Sequence, residues 1–85
     1  MNLQVRKKNG ALEPFTAGKI ANSIVKAGGT VELAAEILER VKYYASNAGK
    51  KGIIDSRQIK SKVVDELLPK DAKTAHAYKN FKKKG

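Results

Sequence analysis

Arg6, Lys7, Lys8 and Lys19 place four cations in the first nineteen residues, and Glu13 is the single carboxylate among them. Ammonium and guanidinium groups at such density suit a phosphate-bearing anion, and one carboxylate can accept a hydrogen bond from an exocyclic amine. Other groups invite catalytic readings that the spacing does not support. His76 is the only histidine, and a lone histidine in an Ala-rich stretch is more often structural or solvated than catalytic. Ser23, Ser46 and Ser61 have no histidine near them in the sequence, and Asp65-Glu66 are adjacent on an expected helix and so point differently. With no cysteine, thiolate zinc sites, disulfides and cysteine nucleophiles are excluded. The expectation is a protein that is not an enzyme and holds no structural metal.

Two glycine-lysine motifs could cradle phosphate. Gly18-Lys19 fails as a phosphate-binding loop: Glu13 stands where that motif needs its first glycine, and Ile20 stands where it needs Ser or Thr. Gly49-Lys50-Lys51-Gly52 has the form of the loop that clamps nucleic-acid backbone in KH domains. The sequence after it lacks the strands that fold requires, and a lysine pair bracketed by glycines is a common exposed turn.

The elements that must position these residues follow from periodicity. Leu3 and Val5 alternate with polar neighbours, Asn9-Gly10 is a turn pair that tolerates positive φ, and Ala11 to Phe15 returns antiparallel. Pro14 confines that second strand to an edge. From Thr16, a candidate N-cap, the period becomes helical through Ile20, Ile24 and Ala27 and stops at Gly28-Gly29. Thr30 caps a second helix with Leu33, Ile37, Val41 and Tyr44 on one stripe and Glu32 in its first turn. Ile53-Ile54 is a candidate third strand. Asp55 or Ser56 caps a third helix carrying Ile59, Val63 and Leu67, stopped near Pro69; Asp71 caps a fourth with Ala75, Tyr78 and Phe81 inward. The expected fold is α+β, with a hairpin over 3–15, helices over about 17–27, 31–47, 56–68 and 72–82, and one domain over residues 1–85.

Composition bounds the function class. Eighty-five residues, 41% apolar and 6% aromatic, build one small core and leave no room for a barrel or a doubly wound sheet. No apolar run approaches a membrane span and the start has no signal-peptide core, so a cytoplasmic location is the expectation. Eighteen Lys and Arg against eight Asp and Glu give +10, a field that attracts phosphate in some form.

The order of the first 27 residues narrows that form. Val5-Arg6-Lys7-Lys8-Asn9-Gly10, then Glu13, Phe15, Lys19-Ile20, Ile24 and Ala27, resembles the ATP-cone family. Its opening is an aliphatic residue, a variable position, Lys, a basic residue, Asp or Asn, and Gly, followed by Glu, a hydrophobic residue and Lys-Ile. Ile53-Ile54-Asp55-Ser56 before Ile59 is similar to the family's short strand and capped third helix, and Ala77-Tyr78 through Phe81-Lys82 to its last helix. The resemblance covers residues 3 to 84. It implies a four-helix bundle capped by a small β-sheet that binds ATP or dATP, with Mg2+ as a candidate companion. The family serves as the activity-control domain of ribonucleotide reductases and occurs, fused to a zinc ribbon, in the repressor of their genes. Here the resemblance is to the cone alone, with neither a reductase body nor a cysteine-bearing ribbon.

By that resemblance Val5 would lie against the adenine and offer backbone groups to its edge. Lys7 and Lys8 would hold phosphates, Glu13 would read the base, and Thr16 would take a polar position near the nucleotide. Lys19 would reach the phosphates, Ser56 and Lys60 would place a hydroxyl and a basic group near the nucleotide, and Lys82 or Lys83 would add a late phosphate contact. Asn9 replaces the commoner Asp and Lys8 the commoner Arg, the second at a loss of bidentate geometry. The function expected is a regulatory module that signals nucleotide state through homo-oligomerisation or a protein partner, such as a ribonucleotide-reductase-type enzyme. The alternative is a basic nucleic-acid-binding protein, for which the surplus Lys60, Lys62, Lys70, Lys73 and Lys79 speak.

Overall fold

A short sheet and four helices make up the computed structural model, which describes residues 3–48 and 51–80. The central strand β1 (Gln4–Arg6) pairs antiparallel with β2 (Leu12–Pro14) and parallel with β3 (Ile53–Asp55), giving the order β2-β1-β3. Pro14 thus sits on an edge strand, where its missing N–H costs no ladder bond. The expected third strand is present, and its parallel pairing explains why it follows a long helical excursion rather than a turn. The helices are α1 (Ala17–Lys26), α2 (Val31–Ala48), α3 (Ser56–Leu67) and α4 (Ala72–Asn80).

The hairpin turns at Asn9-Gly10, and the structure fixes the loop length that the sequence leaves open. Gly10 is left-handed at φ +87, but Asn9 is not, so the turn is not the two-residue form in which both are. The Gly10 N–H donates to the Lys7 carbonyl at 2.9 Å and the Lys7 N–H to the Ala11 carbonyl at 2.8 Å, which makes a three-residue loop. Asn9 serves it through its side chain, whose Oδ1 accepts from the Ala11 N–H at 3.0 Å.

Each helix start has its own device. Thr16 occupies the N-cap of α1 with extended backbone but makes no capping bond; its hydroxyl instead donates to the Pro14 carbonyl at 3.2 Å. Thr30 caps α2 by accepting from the Leu33 N–H at 3.0 Å. Asp55, not Ser56, caps α3: its Oδ1 accepts from the Arg57 N–H at 2.8 Å, while the Gln58 Oε1 accepts from the Asp55 N–H at 3.3 Å. Asp71 holds the first turn of α4 through the Thr74 N–H at 3.2 Å and the Thr74 hydroxyl at 2.6 Å, which also satisfies that buried threonine. These bonds hold the Asp71 carboxyl below the usual range, the hydroxyl first and the Thr74 N–H next. Asp55 is lowered chiefly by the Arg57 N–H.

The core joins all these elements. Val5 and Ile54 come from the sheet, Ile24 from α1, Ala34, Ile37, Val41 and Ala45 from α2, Ile59, Val63 and Leu67 from α3, and Ala75 from α4. On α2 the buried stripe runs through Ala34, Ile37, Val41 and Ala45, with Leu33 and Tyr44 only half-buried at its flanks. Ala34 and Ala45 let α2 approach its neighbours closely. α1 packs on α2, α2 on α3 and α3 on α4, and α4 also meets α1. Gly29 makes the α1–α2 corner possible: a Cβ there would stand 2.9 Å from Ile24 Cγ2 and 3.1 Å from the Ile24 carbonyl. Tyr78 is half-buried against the core as expected, whereas Phe81 lies outside the described residues, as do Gly49 and Lys50 of the Gly-Lys-Lys-Gly motif.

Candidate functional site

The β1–β2 ladder fixes which groups face outward from the sheet. Val5 stands opposite Glu13, Gln4 opposite Pro14 and Arg6 opposite Leu12. The Phe15 N–H donates to the Leu3 carbonyl at 2.9 Å and the Lys7 N–H to the Ala11 carbonyl. The alternation of an antiparallel ladder therefore makes Val5 and Glu13 a hydrogen-bonded pair. In that pair the backbone groups of Val5 are directed at β2. Residues directly opposite share a face, so the Glu13 carboxylate rises beside the Val5 side chain.

A cavity of about 790 Å³ opens on this face, within the range of small-molecule sites. Val5, Lys8 and Glu13 border it from the hairpin, and Thr16 and Lys19 from the first turn of α1. Ser56 and Lys60 border it from α3. Residues separated by more than forty positions meet here because β3 delivers the start of α3 alongside β1.

One expected site residue stands away from the cavity, and another falls outside the described residues. Lys7 does not border the cavity; its Nζ lies 3.6 Å from Glu13 Oε2, with both side chains substantially exposed. Lys83 lies outside the described residues, as does Lys82. Arg6 does not pair with Glu13: it stands in register with Asp55 on β3, whose carboxyl it helps to lower.

The last turn of α4 supplies residues that the sequence reading left out of the site. Tyr78, Lys79 and Asn80 also border the cavity. Burial pushes the Tyr78 phenol up, so at neutral pH it keeps its proton and can donate. The one sequence signal for Lys79 is its place next to Tyr78: once Tyr78 turns inward, its neighbour is carried to the rim. Ser23 also borders the cavity, its hydroxyl donating to the Lys19 carbonyl at 2.9 Å.

The charges are sorted by location. Arg40 and Lys62 both reach Glu66, at 3.3 and 3.1 Å, Lys42 reaches Glu39 at 4.0 Å and Lys70 pairs with Glu36. Arg57 pairs with its cap residue Asp55 at 3.3 Å. The cavity lysines Lys8, Lys19, Lys60 and Lys79 have no acidic partner among the described residues. The first turn of α1 carries neither an acidic residue nor a side-chain acceptor for its N–H groups, so its positive end adds to the same field.

The family model for the ATP cone domain matches residues 3–84, nearly the whole chain. The chain belongs to the ATP-cone family. ATP-cones are nucleotide-binding regulatory domains that take ATP or dATP as allosteric effectors. A comparison with curated proteins found no match. The α+β architecture of four helices and a mixed three-stranded sheet is that of this cone. No helix among its described residues is long and apolar enough to cross a membrane.

Proposed function

We propose that this ATP-cone binds ATP or dATP in the cavity between the hairpin, α1, α3 and the end of α4, and that it acts without catalysis as a nucleotide sensor. The observation that carries the reading is the concentration of four lysines, without acidic partners among the described residues, around the cavity that also holds Val5 and Glu13. A polyphosphate is the ligand that satisfies such a set, since each ammonium can form a charge-assisted hydrogen bond to a phosphoryl oxygen. Val5 supplies an apolar wall for the base, Glu13 accepts from the adenine amine, and Thr16 and Ser56 offer hydroxyls. Lys8, Lys19, Lys60 and Lys79 take the phosphates, with Lys83 as a later contact from the C-terminal end. Lys7 acts by holding Glu13.

The whole chain, residues 1–85, is read as one cone: a four-helix bundle capped by its sheet. Its output is a change in self-association or in a partner surface, because a ligand that bridges the hairpin and the end of α4 favours the arrangement in which both line the cavity. A regulated enzyme of the ribonucleotide-reductase type, in the cytoplasm, fits the family. Calorimetric titration with ATP, dATP, GTP and a short DNA duplex in moderate salt tests the reading. Saturable binding of the adenine nucleotides, above GTP and above the duplex, supports it; tighter binding of the duplex moves the function to nucleic acid.

A further inference from the structure

ATP in solution is commonly a magnesium complex, and that ion makes its own demands of a site. Magnesium demands octahedral oxygen coordination and is usually held by one or two protein carboxylates together with substrate phosphates. Among the described residues Glu13 is the only carboxylate bordering the cavity, and it is already matched by Lys7 at 3.6 Å. Asp55, on β3, caps α3 and pairs with Arg57. Among the described residues no group of three His, Cys, Asp or Glu could hold a metal ion. The donor set does not fit a divalent cation.

It fits the bare anion instead. Lys8, Lys19, Lys60 and Lys79 border the cavity with no acidic partner among the described residues, and Lys19 sits in the first turn of α1, at that helix's positive end. Metal-free ATP carries about four negative charges near neutral pH and its magnesium complex about two. A dication entering beside the phosphates would meet four ammonium groups and halve the charge they act on. We infer that the cavity takes its nucleotide as the metal-free polyphosphate anion, with lysines in the place of magnesium. The inference rests on the nucleotide reading above.

The test is a pair of calorimetric titrations of the full chain with ATP at matched ionic strength, one in excess EDTA and one in excess MgCl2. Binding in EDTA at least threefold tighter than in magnesium is expected. Equal affinity, or tighter binding with magnesium, overturns the inference while leaving the nucleotide reading intact. No binding under either condition overturns both. A second arm uses Lys60→Gln combined with Lys79→Gln, both on exposed positions outside the core. It should weaken binding in EDTA more than in magnesium and so narrow the ratio; an unchanged ratio overturns the assignment of those lysines.

Discussion

Val5 and Glu13 form one hydrogen-bonded pair of the β1–β2 ladder, the first buried at the floor of the cavity and the second half-exposed at its rim. The pairing puts an apolar wall and a carboxylate at a fixed separation on one face. Adenine presents a flat apolar ring with an amine at its edge, whereas guanine presents a carbonyl at the corresponding position. A hydrogen bond to a charged group contributes roughly 1.5–3 kcal/mol, so ATP should bind roughly tenfold to hundredfold tighter than GTP. Glu13→Gln, whose amide can donate to a carbonyl, should lose most of that ratio while keeping triphosphate affinity. Competition titrations of both nucleotides against the variant measure it; a ratio left intact removes Glu13 from base recognition.

Location, not charge alone, should decide which lysines matter. Lys19→Ala is expected to weaken ATP roughly tenfold to hundredfold. Lys73→Ala removes the same charge away from the cavity and should change affinity less than about threefold. Lys7→Ala should cost less affinity than Lys19→Ala, because Lys7 reaches Glu13 rather than the cavity. Equal losses in all three, read by calorimetry, would mean that only the diffuse +10 field acts.

Ile37 is wholly buried at the centre of α2, in the core shared with α3. Ile37→Ala should destabilise the protein by about 2–5 kcal/mol, a large part of what a chain of this size has. Chemical denaturation measures the change; an unshifted midpoint would show that the α2 stripe is misassigned.

Gly29→Ala addresses the α1–α2 corner. Its Cβ would lie 2.9 Å from Ile24 Cγ2 and 3.1 Å from the Ile24 carbonyl, and the backbone atom cannot move aside without opening the helix end. A loss of about 1–3 kcal/mol is expected in thermal unfolding. Gly18→Ala, where a Cβ meets nothing within 4 Å, should be neutral or stabilising.

The helix caps set the response to acid. Asp71 and Asp55 have folded-state pKa values below their ordinary values, so the stabilisation they give is complete above the ordinary aspartate pKa of about 3.9. It is lost as pH falls through the lower folded values. Thermal melts should therefore be flat with pH down to about 5 and drop below about 4. Asp71→Asn should flatten that drop, since the amide still accepts from the Thr74 N–H but does not titrate.

Much of this fold was legible from the sequence because short-range rules decide it. Thr30 and Asp71 stand immediately before helical periods, and Pro14 can sit only on an edge, so those caps and the edge place of β2 follow from local chemistry, whereas the choice of Asp55 over Ser56 and the parallel pairing of β3 with β1 do not. The sequence places the turn at Asn9-Gly10 but leaves its loop length open, because Asn9 can turn in two ways, by adopting positive φ or by accepting from Ala11, and composition does not separate them. In the site, Lys8, Glu13 and Lys19 were found from the N-terminal pattern. Lys79 was not, because whether an exposed lysine on α4 reaches the hairpin depends on how α4 docks across α3 and α1, a long-range relation. The same distance effect separated Lys7 from Lys8: adjacent in sequence, they diverge at the turn.

The central claim is that one cavity, bordered by the hairpin, the first turn of α1, the start of α3 and the end of α4, holds the nucleotide. Amide chemical-shift mapping of the labelled chain on titration with ATP tests it most directly. The account predicts saturable shifts at Val5, Lys8, Glu13, Thr16, Lys19, Ser56, Lys60 and Lys79, with the α2–α3 ion-pair face at Arg40, Lys42 and Lys62 unmoved. Shifts concentrated on that outer face, with the cavity residues unchanged, would contradict it.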